Sequence, residues 1–304
     1  MKRASIVMVA LALVSFAVGQ QGPATPSTGN QSTATPGAAA TQAAPAPGTT
    51  ATAPQGKTPP QAKTQAEYDA FNAAKATASD PANLEKAADD FAAKFPDSEL
   101  RILLYEADVA AYQQTNNSAK MESVGKKVLA IDPDQPDALV AVSQALVDTT
   151  QESDLDKDQK YEEAAKDAQH ALQTIDTDIA VPAGTPPDRV EAYKDYIRST
   201  AYSFLGTIQF KKGDFVGAQS QYQKSLDAFP SQPDPLVVLR LALCLDNQKK
   251  YPEALQQANK AVELTQENTT AGNYARKERD RLVQLTGGTV PPPKGAPATP
   301  AKPN

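Results

Sequence analysis

Few side chains in this sequence are of a type that could carry out covalent chemistry. The chain contains one histidine, His170, and one cysteine, Cys244. A nucleophile activated by a histidine would depend on His170, which lies in a polar stretch that we interpret as a solvated face. Cys244 lies within the apolar residues 241–245. We therefore predict a small buried hydrophobic side chain rather than a reactive thiol.

Four carboxylates alternate in a polar stretch, as the oxygen ligands of a calcium loop do: Glu152, Asp154, Asp156 and Asp158. The stretch lacks the glycine that gives such a loop its sharp turn. It also lacks a well-placed closing glutamate, since Glu162 and Glu163 lie just beyond it, where a helix is expected to begin. A solvated loop is the favoured interpretation.

The composition excludes most other catalytic and metal-binding classes. A disulfide framework needs at least two cysteines, and a zinc site usually needs three or four Cys, His or acidic ligands. Ser-His and Cys-His nucleophiles could use only the single histidine. The sequence therefore predicts a protein that is not an enzyme and has no cofactor or metal ion.

The charge is distributed unevenly along the chain. The net charge is −6, yet the six basic residues outside 64–286 have no acidic counterpart, so the central region carries −12. A strongly acidic region repels phosphate groups, which argues against binding to nucleic acid or to anionic lipid. A protein or peptide partner, or none, is left.

The first 19 residues have the pattern of a signal peptide. Lys2 and Arg3 precede the uncharged residues 6–18, which are too few to span a bilayer comfortably. The small residues Ala17 and Gly19 suit a cleavage site before Gln20, and no cysteine lies there for lipid attachment. We predict a periplasmic or secreted protein with no stable membrane insertion after cleavage. The alternative is an uncleaved N-terminal anchor.

Two segments have the composition of disordered linkers. Residues 20–63 consist almost entirely of Ala, Thr, Pro, Gly, Gln and Ser, which bury too little apolar area to offset the entropy of ordering. Residues 287–304 are a Pro-rich tail of the same kind. A plain spacer is favoured for the first segment over an O-glycosylated or wall-spanning stalk.

Residues 64–286 are predicted to be helical throughout, because no strand-length alternation of β-branched residues occurs there. The pairs Asp80-Pro81, Asp132-Pro133 and Asp234-Pro235 each combine a cap residue with a proline, which favours a helix start and stops the preceding helix. Residues 179–186 form a Pro- and Gly-containing break before one long helix over 187–212. Residues 270–285 form a basic amphipathic helix.

A repeated pattern is clearest from Ser199 onward. A large and a small residue on one helix are followed by a Gly-Asp turn, small and aromatic residues on a second helix, and a proline: Tyr202, Leu205, Gly206, Gly213, Asp214, Ala218, Tyr222, Ser225, Pro230. This pattern resembles the tetratricopeptide repeat (TPR). In such a repeat the small residues let the two helices approach closely.

The same frame fits the sequence at other positions. A good copy begins at Pro235, and weaker copies begin at Gln65, at Ile102 and near Pro136, the last interrupted by an insertion around residues 151–158. We predict an all-α, TPR-like solenoid of about five helix pairs, with residues 270–285 as a C-terminal capping helix. Residues 91–98 are similar to the repeat ends of exported bacterial envelope TPR proteins, such as the lipoprotein of the outer-membrane barrel-assembly machine.

The resemblance implies a protein-interaction scaffold whose first helices line a concave groove. The groove positions are more apolar than a solvated surface tolerates: Val140, Val147, Thr207, Phe210, Leu236, Leu239, Leu243. Two covers are possible, either a segment of a partner or the chain's own residues before the fourth pair, where Val190, Tyr193 and Ile197 recur. We expect an envelope protein or peptide as the partner. The alternative is an accessory domain of a cell-wall or envelope enzyme system.

Overall fold

The computed structural model describes residues 56–288, and this part of the chain is built from helices. It contains α1 (Gln65–Lys75), α2 (Pro81–Lys94), α3 (Leu100–Gln114), α4 (Ser118–Ile131), α5 (Pro136–Thr149), α6 (Lys157–Thr174), α7 (Pro187–Lys211), α8 (Phe215–Ala228), α9 (Pro235–Asn247), α10 (Tyr251–Glu263) and α11 (Thr270–Leu285). The predicted all-α class, with five pairs and a last helix, is confirmed. The predicted signal peptide lies outside the described residues.

The helices form two layers. Each helix contacts the next one along the chain, and α1, α3 and α5 also contact the first helix of the following pair, as α9 contacts α11. Second helices of successive pairs show no comparable contact among the described residues. The first helices therefore form the inner layer, which is the concave side of a solenoid.

Cap residues explain where several helices begin. The side chain of Asp80 accepts hydrogen bonds from the amides of Ala82 and Asn83, and Asp234 accepts one from the amide of Leu236. The remaining Asp-Pro dipeptide, Asp132-Pro133, follows the end of α4 but does not start α5. Asp132 is the C-cap residue of α4. The N-cap residue of α5 is Gln135, whose side chain accepts a hydrogen bond from the amide of Asp137.

Four first-layer helices end in the same left-handed turn. Asn116, Gly213, Lys249 and Gly287 have φ angles of 56°, 78°, 60° and 72° after α3, α7, α9 and α11. In each case the following amide donates a hydrogen bond to the carbonyl five residues earlier, as in a Schellman motif. In the third pair, the predicted insertion replaces this turn between α5 and α6.

Small residues set the spacing between paired helices, as predicted. A Cβ atom at Gly206 on α7 would lie 2.7 Å from ring atom Cδ1 of Tyr222 on α8. Tyr222 is completely buried, so its ring occupies the space that a larger side chain at Gly206 would need. On α10, the corresponding small residues are the buried Ala254, Ala258 and Ala261.

The predicted long helix is α7, which extends well before the fourth pair. Val190 and Ile197 in its first half are buried in one cluster with Leu139 and Val140 of α5 and with Ile175. The helix therefore joins the third pair to the fourth through a continuous backbone. No helix in the described part of the chain has the length and apolar character needed to cross a membrane.

An extended segment precedes α1. Residues 56–63 belong to the predicted linker, and they lie along the helical part of the chain. The amide of Lys57 donates a hydrogen bond to the carbonyl of Ile179 at 2.8 Å, and Ala62 packs against the first hydrophobic cluster. The rest of the linker, and the tail from residue 289, lie outside the described residues.

Gly206→Ala is expected to destabilise the protein by about 1–3 kcal/mol, because the new methyl group overlaps the buried ring of Tyr222. Helix propensity alone predicts the opposite sign, since Ala is favoured over Gly within a helix. Thermal and urea unfolding followed by circular dichroism would measure the change. Ala192→Val on the exposed face of α7 is the control, and equal stability of wild type and Gly206→Ala would contradict the close approach.

Candidate protein-binding surface

The predicted groove residues lie on the first helices of the last three pairs, but they differ in accessibility. Four of them are buried, and three are half-buried. The buried ones are Val140, Val147, Thr207 and Leu239; the half-buried ones are Phe210, Leu236 and Leu243. An open groove over all seven is therefore not present in this conformation.

Val140 is covered by the chain itself. It lies in the cluster that contains Val190 and Ile197 of α7, with Tyr193 packed against the same cluster. Val190, Tyr193 and Ile197 are the residues of the chain itself that the sequence predicts as one of two possible covers. A partner segment could contact Val140 only if the first half of α7 moved away.

Val147 and Thr207 take part in contacts between helices. Val147 lies in a cluster with Tyr161 and Ile208, and the Lys211 ammonium group donates a hydrogen bond to its carbonyl oxygen at 3.3 Å. The Thr207 hydroxyl donates to the carbonyl of Ser203 at 2.8 Å and accepts from the Tyr222 hydroxyl at 3.2 Å. Both residues therefore stabilise the solenoid.

Phe210 and Leu239 are linked through the cluster at the C-terminal end. The Phe210 ring contacts the Phe215 ring edge to face, with centroids 5.3 Å apart. Phe210 also packs against the cluster that contains Leu239. A charged residue at position 239 would therefore disrupt the core, whereas Leu236 and Leu243 keep part of their surface accessible.

The left-handed residues that end α9 and α11 define a common register. Counted back equally from Lys249 and Gly287, Leu236 corresponds to Tyr274 and Leu243 to Arg281. The Arg281 guanidinium lies 2.6 Å from the Asp246 carboxylate, so the two helices face each other at these positions.

Tyr274 is 62 % exposed, the largest exposure of an aromatic side chain in the described part of the chain. In the common register Tyr274 occupies on α11 the position that Leu236 occupies on α9. We call Leu236, Leu243 and Tyr274 the C-terminal strip. Tyr274 is absent from the groove residues predicted from the sequence, because the basic residues of α11 favour a purely capping role. The register of the Gly-Gly end would have identified it.

The inner layer near the second and third pairs is acidic. The side chain of Gln135 donates a hydrogen bond to Glu106 of α3, and the Tyr193 hydroxyl donates one to Asp137 of α5. Burial, together with the nearby Asp137 carboxylate, raises the pKa of Glu106 to about 8. Burial also raises the pKa of Asp137, although the hydrogen bond from Tyr193 opposes this effect.

The charge changes along the solenoid. Residues 64–198 carry 27 acidic and 13 basic side chains, whereas residues 199–288 carry 9 acidic and 11 basic ones. The C-terminal strip therefore lies in the part of the protein that does not repel an acidic partner.

The single histidine lies beside a carboxylate, and the single cysteine lies in the helical core. His170 Nε2 lies 2.8 Å from an oxygen of Asp134, and Cys244 is buried, as predicted. Burial raises the pKa of the Cys244 thiol to about 12, which disfavours the reactive thiolate.

Three of the four carboxylates of the acidic insertion form ion pairs with lysines that lie close to them in sequence. The Lys157 ammonium group pairs with Glu152, and Lys160 pairs with Asp154 and Asp156. Within residues 56–288, no three His, Cys, Asp or Glu side chains are arranged to hold a metal ion.

No protein-family model and no curated protein sequence matches this chain. Among solved structures, the fold is similar to that of PilF from Pseudomonas aeruginosa, with a TM-score of 0.52 and 16 % identity over 73 % of this chain and 87 % of that one. It is also similar to TTC0263, a TPR protein of Thermus thermophilus, with a TM-score of 0.45 and 14 % identity over 70 % and 98 %. The similarity to the fold of PilF confirms the predicted TPR-like solenoid.

Glu106→Gln is expected to flatten the dependence of stability on pH. The pKa of Glu106 in the folded state, about 8, lies above the ordinary value of 4.5, so the folded state loses stability as pH rises between these values. One pKa unit corresponds to about 1.4 kcal/mol, and we expect Glu106→Gln to be more stable than wild type by at least about 1 kcal/mol at pH 9.

Urea unfolding at pH 5, 7 and 9 would measure this difference. A residual slope is expected in the variant, because burial raises the pKa of Asp108 to about 7. Glu162→Gln, at an exposed position on α6, is the control. Parallel pH profiles for Glu106→Gln and wild type would contradict the assignment.

Proposed function

We propose that this TPR-fold chain is an exported, non-catalytic scaffold that binds an envelope protein or peptide on the concave side of its C-terminal pairs. The observation that carries the proposal is the C-terminal strip. Leu236 and Leu243 are half-buried and Tyr274 is 62 % exposed on neighbouring first-layer helices. Accessible apolar side chains at matching positions of neighbouring first-layer helices are typical of a binding surface.

The position of the strip limits the partner. Val140 and Val147 are covered by the chain itself, so the proposed contact is confined to α9 and α11 and the nearby Phe210. An extended or helical segment with two or three apolar anchors fits such a surface. Residues 199–288 carry slightly more basic than acidic side chains, which favours a neutral or acidic segment over a basic one.

The export part of the proposal rests on the sequence. Lys2 and Arg3 precede an apolar stretch of signal-peptide length, and small residues precede the expected cleavage position. The similarity of residues 91–98 to the repeat ends of envelope TPR proteins supports the same compartment.

The non-catalytic part rests on the surroundings of the reactive side chains. His170 is paired with Asp134, and the Cys244 thiol is buried with a raised pKa. A scaffold uses neither group. The role as an accessory domain of an envelope enzyme system would use the same C-terminal strip, with the enzyme as the partner.

Tyr274→Ala combined with Leu236→Ser is expected to weaken partner capture by at least about tenfold, because interface anchors commonly contribute more than 1 kcal/mol each. The purified variants would be compared as bait in envelope extract, with quantitative mass spectrometry of the captured proteins. Val216→Ala, at a position that is 67 % exposed on the second-layer helix α8, is the matched control.

Circular dichroism should show the same helix content for all baits, since neither change affects a fully buried residue. Capture that is equal for wild type and the double variant, or that is lost equally with Val216→Ala, would contradict a binding role of the strip.

The mature protein is expected to begin near Gln20 and to be found outside the cytosol. N-terminal sequencing of the protein from its native cells, together with fractionation, would test this. A product that retains Met1 would argue for the uncleaved anchor, and a cytosolic product would contradict export.

A further inference from the structure

The extended residues before α1 contact three separate turns at one edge of the solenoid. The Lys63 ammonium group donates a hydrogen bond to the carbonyl of Asp97 in the turn between α2 and α3, at 2.9 Å. Six residues earlier, Lys57 contacts Asp132 in the α4–α5 turn and Asp178 in the α6–α7 loop. Six extended residues span about 20 Å, which is enough to pass from the first inter-pair turn to the third.

The contacts of Lys57 involve both its side chain and its backbone. The ammonium group lies 2.8 Å from an Asp132 oxygen and 2.9 Å from an Asp178 oxygen, and both carboxylates are largely buried. The Lys57 amide donates to the Ile179 carbonyl at 2.8 Å, and Lys57 forms a parallel bridge with Ala180. The backbone contacts fix the direction of the segment, and the two carboxylates favour a cationic side chain at position 57.

The residue before Lys57 must be small. A Cβ atom at Gly56 would lie 2.6 Å from the Ile179 carbonyl oxygen and 3.2 Å from a methyl group of Val181. Any other side chain would therefore push the segment away from the α6–α7 loop. The edge accepts the sequence Gly56-Lys57 for a steric and an electrostatic reason that are independent of each other.

Lys57 supplies the cation for two carboxylates at this edge, Asp132 and Asp178. Burial favours the neutral form of Asp178, but hydrogen bonds from Thr177 and Lys57 outweigh it and lower the pKa of Asp178. The charged form is thus matched to a cation from residue 57.

We propose that Asp132, Asp178 and the Ile179 carbonyl form a docking site for an extended, lysine-bearing segment, and that the chain's own Gly56-Lys57 occupies it. In this arrangement Gly56 lies at the third helix pair, and the chain runs from there back to the start of α1. Residues 57–63 thereby connect the first pair to the third along the loop edge, separately from the helix contacts and from the C-terminal strip.

Hydrogen exchange of the residue 57 amide, measured by NMR on the full chain, tests the site. In wild type the amide should be protected, and Lys57→Ala should increase its exchange rate by about tenfold or more, as expected for the loss of a half-buried double ion pair. Gly56→Val should have a similar effect without changing any charge. Lys75→Ala, at an exposed position in α1, should have none.

A double-mutant cycle separates the carboxylates from indirect effects. Asp132→Asn with Asp178→Asn should accelerate exchange, and adding Lys57→Ala to them should change little more, because both sets of changes remove the same two ion pairs. The melting temperatures should stay close to wild type, since residue 57 lies outside the helices. A wild-type amide that exchanges as fast as an unstructured peptide, or protection unchanged by Lys57→Ala and Gly56→Val, would overturn the proposal.

Dependence of the protection on protein concentration would show that the segment comes from a second copy, which would overturn the assignment of the occupant. None of these measurements involves an external partner. The docking site can therefore fail while the scaffold function stands, and the reverse also holds.

Discussion

The close approach of the two helices within each pair is the constraint on which the rest of the molecule depends. At Gly206 the backbone of α7 lies against the buried ring of Tyr222, and the buried alanines of α10 give α9 a similar approach. A pair held this tightly exposes one apolar face that it cannot cover alone, so each pair must stack on the next. The left-handed turn recurs after α3, α7 and α9, so these pairs share one turn geometry. Contacts among α1, α3, α5 and α7, and between α9 and α11, bring the first helices together as the inner layer.

Charge follows a different pattern from packing. The inner layer near the second and third pairs contains Glu106 and Asp137, whose neighbours Gln135 and Tyr193 are neutral. The largely buried carboxylates at the loop edge instead pair with Lys57, which lies outside the helices. The acidic first part of the solenoid thus uses a cation from the basic flanking sequence. The C-terminal part is nearly balanced, and its accessible apolar residues lie there.

Local sequence signals predicted the helices well, because caps, prolines and the spacing of small residues act over a few positions. The starts of α7 at Pro187, α9 at Pro235 and α11 at Thr270 agree with the expected ones. α5 begins at Pro136, near which the third copy was expected to begin, but its cap is the side chain of Gln135, a weaker cap type, and Asp132-Pro133 does not start a helix. The repeat register identified which helix face turns inward, but not whether it is accessible. Val140 is covered by residues some 50 positions later, and Lys57 contacts residues far along the chain; such distant contacts leave no periodic signal.

The length of α7 changes how the solenoid can come apart. In a simple repeat array, unfolding can start at either end and proceed pair by pair. At 25 residues, α7 is about 37 Å long and belongs to the third and the fourth pair at once. The boundary between these pairs cannot open unless a continuous helix is broken and the cluster of Val190 and Ile197 is exposed. The third and fourth pairs should therefore unfold as one cooperative block, leaving the first two pairs and the last one as the parts that fray under heat or mechanical load.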